Sequence, residues 1–148
     1  MGDARSRWDH SPLRDDIAFW LRLADTAVIK RSADALRPFD LRPGLYAALK
    51  IIDANPGQKQ NEVGEALRVA TSNLAVMMDV LANRGLIQRE RVAGDTRSYS
   101  LTLTEAGAAM LVDAEKALVD VFAEFNRILG DKREQVIGVL AELAALDS

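Results

Sequence analysis

A run of polar and small apolar side chains between residues 71 and 76 has the chemistry needed to contact nucleic-acid bases. Asn73 carries an amide that can pair with the N6 and N7 atoms of adenine, and Val76 can pack on a thymine methyl group. The hydroxyls of Thr71 and Ser72 can bond to bases or to phosphate. If Leu74 faces a core, a step of about 100° per residue places Ser72 and Val76 on the opposite side of a helix. We therefore expect this face to enter the major groove of DNA, the alternative being that Thr71 or Ser72 only caps the helix and that Asn73 lies in solvent.

A second set of candidate residues precedes and follows this run. Arg97 stands in a polar, glycine-containing segment typical of a hairpin tip, from which a guanidinium can enter the narrow minor groove. Asp95, two residues earlier, can hold that guanidinium by a charge-assisted hydrogen bond. Lys59 and Gln60 are predicted to contact the phosphate backbone. Three further cations are either backbone contacts or part of a solvated strand: Arg84, Arg89 and Arg91.

Two short helices that cross at a steep angle are needed to position these side chains. The second helix carries apolar residues at i, i+3, i+4 and i+7, which share one face: Leu74, Met77, Met78 and Leu81. The first helix carries Gly64 between Val63 and Leu67. The chain then turns at Arg68 and Val69. Gly64 supplies the small residue that the crossing point needs, so the spacing predicts a helix-turn-helix.

A glycine and two short strand-like segments follow the second helix. Gly85 suits the left-handed conformation that often ends a helix. Residues 88–92 and 99–103 are predicted to be strands, joined by a polar tip over residues 93–98. A helix-turn-helix followed by such a hairpin is a winged helix.

Two amphipathic regions flank the winged helix. Residues 11–37 are predicted to form a helix that begins at Ser11, because serine followed by proline favours a helix start. Residues 104–148 are predicted to form two helices, the first capped by Thr104. Their apolar stripes exceed what a domain of this size can cover, which predicts a homodimer. The expected fold is mostly α with a small β-hairpin wing: a single domain over 1–148, with a winged helix-turn-helix DNA-binding region at 42–103 and dimerisation helices at 11–37 and 104–148.

The chain resembles the MarR family of bacterial transcriptional regulators over nearly its whole length. The resemblance is carried by Arg84-Gly85-Leu86-Ile87, by Asp95-Thr96-Arg97 and by Leu101-Thr102-Leu103-Thr104-Glu105-Ala106-Gly107. It implies a dimeric regulator, here a repressor of a pseudo-palindromic operator with half-sites about one helical turn apart.

Members of this family often bind small aromatic or lipophilic acids between the dimer helices and the winged helix. Here the resemblance points to Trp20, Phe39 and Tyr46 as candidate residues for such an effector site. The alternative is that Trp20 and Tyr46 belong to the core, as aromatic residues at helical spacing usually do.

Three positions depart from the family pattern. Thr96 stands where relatives commonly carry arginine, so the wing has one charge fewer. Arg68 occupies a turn position that is usually glycine, at a cost of about 1 kcal/mol if the backbone is left-handed, and it could reach a phosphate. Lys59 stands where relatives cap the helix with serine. Because lysine cannot accept a hydrogen bond, Gln58 or a bound phosphate would have to take that role.

The composition of the chain argues against several other classes of function. A net charge of -3 is unusual for a DNA-binding protein, but the acidic excess lies after residue 102, with nine acidic and four basic side chains.

No cysteine is present, which excludes disulfides and a thiol-based peroxide sensor. One histidine and no phosphate-binding loop argue against an enzyme, a cofactor or a metal site. With no apolar run of about 18 residues, we expect a cytoplasmic protein without membrane contact. A winged helix that binds protein rather than DNA is the alternative that the low basic charge favours.

Overall fold

Six α-helices and one two-stranded hairpin make up the part of the chain that the computed structural model describes, residue 9 and residues 11–147. The elements in chain order are α1 (Ile17–Leu36), α2 (Pro43–Ala54), α3 (Gln60–Leu67), α4 (Thr71–Asn83), β1 (Ile87–Val92), β2 (Asp95–Leu103), α5 (Glu105–Leu129) and α6 (Arg133–Ala144). This mostly helical architecture with a β-hairpin wing confirms the predicted fold class. Residues 1–8, 10 and 148 of the predicted domain lie outside the described residues.

The start of α1 differs from the prediction. Ser11–Leu13 forms only a short 3-10 turn, and α1 begins at Ile17. Asp16 is the N-cap, and its carboxylate accepts a hydrogen bond from the backbone N–H of Phe19 at 2.9 Å. Asp16 therefore takes the capping role that the sequence analysis gave to Ser11.

The core lies where α2, α4 and the first half of α5 meet the hairpin. Its fully buried side chains come from each of these elements: Leu49 and Ile52 of α2, Met78 and Leu81 of α4, Leu101 of β2 and Leu118 of α5. Leu36 joins them at the carboxyl end of α1. The predicted apolar face of α4 is therefore its core face.

Helices α3 and α4 meet at Gly64, as the spacing predicted. A Cβ atom added at Gly64 would lie 2.5 Å from Cδ2 of Leu74, which is itself buried. The turn between the helices passes through Arg68 in the left-handed conformation, with φ 51° and ψ 44°. The two helices can approach this closely only because one of the two contacting positions has no side chain.

The helix end at Gly85 and the cap at Thr104 hold the base of the hairpin. Gly85 is left-handed, with φ 68°, and Thr104 donates from Oγ1 to the carbonyl oxygen of Gly85 at 2.6 Å. The same oxygen of Thr104 accepts from the backbone N–H of Gly107 at 3.0 Å, which caps α5 as predicted. A Cβ atom at Gly107 would lie 1.9 Å from the carbonyl oxygen of Leu86. The threonine and glycine of the Thr104–Gly107 motif are thus needed to pack α5 against the chain leaving α4.

The hairpin begins its second strand earlier than predicted. Only Ala93 and Gly94 separate the strands, because β2 starts at Asp95 rather than at Tyr99. Arg91 pairs with Tyr99, whereas the next residue, Val92, pairs with Asp95, so residues 96–98 form a bulge on β2. The predicted tip over residues 93–98 is therefore a two-residue turn followed by this bulge.

A third short segment extends the hairpin. The backbone N–H of Gly57 donates to the carbonyl oxygen of Leu101 at 2.8 Å, and the N–H of Leu101 donates to the carbonyl oxygen of Gln58 at 3.0 Å. This pairing ties the start of α3 to β2, so the wing and the helix-turn-helix move as one unit. No helix in the described part of the chain is long and apolar enough to span a membrane.

We predict that alanine substitution destabilises the protein most at Gly107 and less at Gly64, and that it does not destabilise the protein at Gly44. Gly107→Ala forces a backbone carbonyl to move, and Gly64→Ala displaces only the end of the Leu74 side chain, at a cost of about 1–3 kcal/mol. Gly44→Ala meets nothing nearer than Cε of Met77 at 3.8 Å, and alanine is favoured in helices by about 0.5–1 kcal/mol. Urea denaturation measures the three free energies of unfolding. Equal stability of Gly64→Ala and Gly44→Ala would contradict the close crossing of α3 and α4.

Candidate nucleic-acid interface

The outward face of α4 presents the residues predicted to contact bases. Thr71, Ser72 and Asn73 are exposed in the first turn, and Val76 is 61% exposed one turn later. Leu74 faces the opposite way and is buried. The structure therefore gives α4 one apolar inner face and one largely polar outer side, on which Val76 is the most exposed large aliphatic side chain.

The hydroxyls at the start of α4 do not cap it. The N-cap is Ala70, which has no side-chain acceptor, and the first intrahelical bond runs from the N–H of Leu74 to the carbonyl oxygen of Ala70 at 2.9 Å. Within residues 11–147, the structure gives no hydrogen-bond partner to the side chains of Thr71, Ser72 or Asn73. The capping alternative is therefore wrong, and these polar groups are free to bind a ligand.

A crevice joins the start of α4 to the start of α3 and to the wing. Its lining brings together three of the predicted residues, Gln60, Thr71 and Arg97, and is completed by Asn61, Leu74, Ser98 and Tyr99. The side-chain oxygen Oε1 of Gln60 is buried there without a hydrogen-bond partner among the described residues. The residues 60, 71 and 97, which are distant in the sequence, thus line one surface.

Asp95 shapes the backbone of the wing instead of holding the guanidinium of Arg97. Its Oδ1 accepts from the backbone N–H of Arg97 at 3.1 Å, and its Oδ2 accepts from Oγ of Ser98 at 2.6 Å. The hydroxyl of Ser98 is the main cause that lowers the pKa of Asp95, followed by the Arg97 backbone N–H. The predicted side-chain bond between Asp95 and Arg97 is absent from the described contacts, and the Arg97 side chain is exposed on the bulge.

Glu62 bonds back to Lys59, the residue before α3, whereas no side chain in the described part of the chain caps the free N–H groups of that helix. The carboxylate oxygen Oε2 of Glu62 accepts from the backbone N–H of Lys59 at 2.9 Å. The lysine side chain cannot itself accept, so this is the half of a capping box that remains chemically possible. The ammonium group of Lys59 is near enough to Asp95 to contribute to its lowered pKa.

The other arginines of the winged helix are engaged inside the protomer. Arg89 forms an ion pair with Asp79 of α4 at 2.8 Å, and the Arg91 guanidinium lies 5.3 Å from the centre of the Tyr99 ring. Arg84 donates to the carbonyl oxygens of Phe39 at 2.8 Å and of Asp40 at 2.6 Å. The sequence left the roles of these three arginines open, and the structure assigns them to positioning the wing, α4 and the start of α2.

Arg68 is also engaged internally. Its guanidinium donates to the backbone carbonyl oxygen of Ala144 at the end of α6, 76 residues away in the chain. The backbone at Arg68 is left-handed, with a φ of 51°, so the cost of about 1 kcal/mol relative to glycine applies. In this structure the side chain links the helix-turn-helix to α6 and does not join the outer face of α4.

The three aromatic residues predicted to line an effector site are not gathered in one protomer. Trp20 lies in the first turn of α1 and is 47% exposed, whereas Phe39 follows the other end of that helix. A helix of this length spans about 30 Å, so Trp20 and Phe39 cannot line one small pocket. Phe39 and Tyr46 are half-buried against the core. Residues 11–147 also contain no cluster of histidine or carboxylate side chains able to hold a metal ion.

A short helix crossed by a second helix with a free polar face, beside an arginine-bearing hairpin, defines a winged helix-turn-helix protein. Residues 41–99 match the family model described as the MarR family. The chain is also 30% identical over 141 residues, 94% of its length and 85% of the relative, to a proposed transcriptional regulatory protein for the hcr operon of Thauera aromatica. The chain therefore belongs to the MarR family, a class of transcriptional regulators and not of enzymes.

Two solved structures of the transcriptional repressor CouR are similar to this chain over nearly its full length. CouR bound to a 23-mer DNA duplex is 31% identical with a TM-score of 0.88, covering 94% of this chain and 99% of CouR. CouR bound to p-coumaroyl-CoA is 29% identical with a TM-score of 0.83, covering 92% and 96%.

We predict that Asp95 titrates below the ordinary aspartate pKa of about 3.9, because Ser98 and the Arg97 backbone bond to its charged form. A lowered folded-state pKa stabilises the wing fully at pH values above the ordinary pKa, and this contribution is lost as the pH falls through the folded value. The amide resonance of Arg97, followed by NMR from pH 6 to about pH 2, reports the titration. Ser98→Ala should raise the midpoint. A midpoint at or above the ordinary value in the unsubstituted protein would contradict the hydrogen bonds described for Asp95.

Proposed function

We propose that the protein is a homodimeric, sequence-specific DNA-binding repressor that reads a pseudo-palindrome with half-sites about one helical turn apart. The observation that carries the proposal is the outer face of α4, where Ser72, Asn73 and Val76 are exposed beside the free guanidinium of Arg97. The similarity to CouR, which binds a DNA duplex, supports it. Because it acts on chromosomal DNA, we place the protein in the cytoplasm and assign it no catalytic activity.

The residues of α4 read the major groove. Asn73 pairs with an adenine, Val76 packs on a thymine methyl group, and Thr71 and Ser72 bond to base edges or to the adjacent phosphates. The absence of internal partners for the three polar side chains, within residues 11–147, supports these roles.

The wing and the start of α3 hold the duplex backbone. Arg97 enters the minor groove, where negative potential is enhanced over narrow A-tracts. Lys59 and Gln60, next to the crevice that Arg97 lines, contact phosphate. Asp95 contributes by holding the backbone of the bulge that carries Arg97, and Arg68 contributes by fixing the turn before α4.

The homodimer forms through α1, α5 and α6. Helix α6 buries none of its residues within the protomer, and most of the exposed large apolar side chains belong to these three helices: Ile17, Trp20, Leu21, Leu23, Val28 and Ile29 of α1, Val112, Val119, Phe122 and Ile128 of α5, and Ile137, Val139, Leu140 and Leu143 of α6. Apolar patches of this extent mark interaction surfaces. A twofold pairing of α4 helices is also what a palindromic operator requires.

The effector is an aromatic acyl-CoA thioester. The support is the similarity to CouR, which binds p-coumaroyl-CoA. A ligand that binds the DNA-free conformation better than the DNA-bound one releases the operator by shifting that equilibrium. Its aromatic group needs an apolar site, for which Phe39 and Tyr46, half-buried against the core, are the candidates.

We predict that Arg97→Ala weakens binding to the DNA upstream of the protein's own gene by about tenfold, or about 1.4 kcal/mol. Because a dimer carries two such residues, the slope of log K against log salt should fall by roughly 2. Fluorescence anisotropy at several salt concentrations measures both quantities. Arg127→Ala, an exposed arginine near the far end of α5, is the charge-matched control. Unchanged affinity of Arg97→Ala at every salt concentration would remove the wing from the mechanism.

We also predict that p-coumaroyl-CoA or benzoyl-CoA releases the protein from this DNA, as followed by electrophoretic mobility shift. Free CoA and the free aromatic acids are the controls, and they should release it only at much higher concentration because each supplies part of the contacts. Release by the free acids alone would contradict the thioester assignment. A wild-type protein that fails to shift its upstream DNA at all would favour the protein-binding winged helix over the repressor.

A further inference from the structure

A groove runs along the side of α4 that faces away from the wing. It has a volume of about 490 Å³ and separates the start of α2, with Arg42 and Gly44, from the outer face of α4, with Asn73 and Val76. We call it the flank groove. Asn73 and Val76, which are proposed to read bases, therefore form one wall of it, and any duplex seated on α4 covers it.

The charged side chains of the winged helix divide into engaged and free groups. Five of the eight basic residues in 42–103 have a partner within the protomer: Lys50 with Glu115, Arg68 with Ala144, Arg84 with Phe39 and Asp40, Arg89 with Asp79, and Arg91 with Tyr99. The structure describes no hydrogen bond, ion pair or ring contact for the side chains of the other three, Arg42, Lys59 and Arg97. Arg97 lines the crevice on the wing side of α4, Lys59 pairs with Ser100 of the wing, and Arg42 lies in the flank groove.

Helix α4 separates the flank groove from the crevice that Gln60, Thr71 and Arg97 line on the wing side. At about 100° per residue, Thr71 of that crevice lies on one side of Leu74, and Met77 of the flank groove lies on the other. The major groove is about 12 Å wide and a helix with its side chains is about 10–12 Å across. A helix that fills the groove therefore has a phosphate backbone on each side.

We propose that Arg42 binds a DNA phosphate on the side of the major groove opposite the wing, so that α4 is held between two backbone contacts. This inference rests on the proposed DNA-binding function and adds to it a contact surface outside the helix-turn-helix and the wing. Arg42 is the residue before α2 and is exposed, and within residues 11–147 its side chain has no described partner, so its guanidinium is available without loss of an internal contact.

The loop that carries Arg42 is held in place by α4. Arg84, which follows the last residue of α4, donates to the carbonyl oxygens of Phe39 and Asp40. The position of Arg42 relative to the outer face of α4 is thereby fixed before DNA binds, which reduces the entropy that binding must overcome.

Asp40 opposes the contact. It lines the same groove, is exposed, and has a left-handed backbone with φ 49°. A carboxylate beside a bound phosphate is repelled, so Asp40 weakens binding and Asp40→Asn strengthens it. Asparagine tolerates the left-handed conformation, so this substitution removes the charge without straining the loop.

Four variants of the full chain test the proposal by fluorescence anisotropy on the upstream DNA at several salt concentrations. We expect Arg42→Gln to weaken binding severalfold and to lower the salt slope by roughly 2 for the dimer. Arg42→Lys should retain most of the affinity because it keeps the charge, and Asp40→Asn should bind more tightly than wild type. Arg127→Gln, which removes the same charge near the far end of α5, should match wild type, and gel filtration shows that this variant, like the others, is still a dimer. Thermal melting of each variant shows whether the fold is intact.

Wild-type affinity and salt slope in Arg42→Gln would overturn the proposal, and so would weaker binding by Asp40→Asn. If Arg97→Ala weakens binding in the same assay while Arg42→Gln does not, the repressor function stands and only the flank contact fails. Unchanged DNA affinity combined with a lost response of Arg42→Gln to p-coumaroyl-CoA would assign the groove to the effector instead. If Arg42→Gln has a lowered melting temperature, its weaker DNA binding cannot be interpreted. The test then rests on Asp40→Asn, which the proposal expects to bind DNA more tightly than wild type.

Discussion

The approach of α3 to α4 at Gly64 is the contact on which the proposed DNA-reading surface depends. Leu74 fills the space that a side chain at Gly64 would occupy, and it can do so only with its own side of α4 turned inward. Since successive residues of a helix differ in direction by about 100°, burying Leu74 turns Ser72 and Val76 outward. A single missing methyl group thus sets which residues of α4 face solvent.

Long-range hydrogen bonds then hold α4 relative to its neighbours. Asp79 binds Arg89 of the wing, and Arg84 binds the loop before α2. Arg68 binds the end of α6, so the turn before α4 is connected to a helix proposed to lie in the dimer interface.

Much of the fold follows from local sequence patterns. The glycine at the helix crossing, the left-handed Gly85 and the cap at Thr104 were all predictable, because each depends on residues within a few positions of one another. The start of α1 was not, since Ser11 and Asp16 are both good caps and the choice depends on packing further along the helix. The register of the wing was missed because the hydrogen bonds of Asp95 to the following residues create a bulge that strand alternation does not reveal.

The candidate site was predictable in its residue types but not in its partners. Sequence patterns indicated the outward side chains of α4, whereas the engagement of Arg68 and Arg84 depends on contacts 76 and 44 residues away. No local pattern contains that information. For the same reason Trp20 and Phe39 were grouped by residue type although the length of α1 separates them.

Backbone hydrogen exchange, measured by mass spectrometry with and without the upstream DNA, tests the central claim most directly. The first amides of a helix have no intrahelical partner, so those of Thr71, Ser72 and Asn73 should exchange rapidly in the free protein. Our account predicts that DNA slows exchange in residues 71–76 and 93–98 and leaves the second half of α5 unchanged. Slowed exchange confined to α1 or α6, with none in residues 71–76, would contradict the claim that the outer face of α4 meets the DNA.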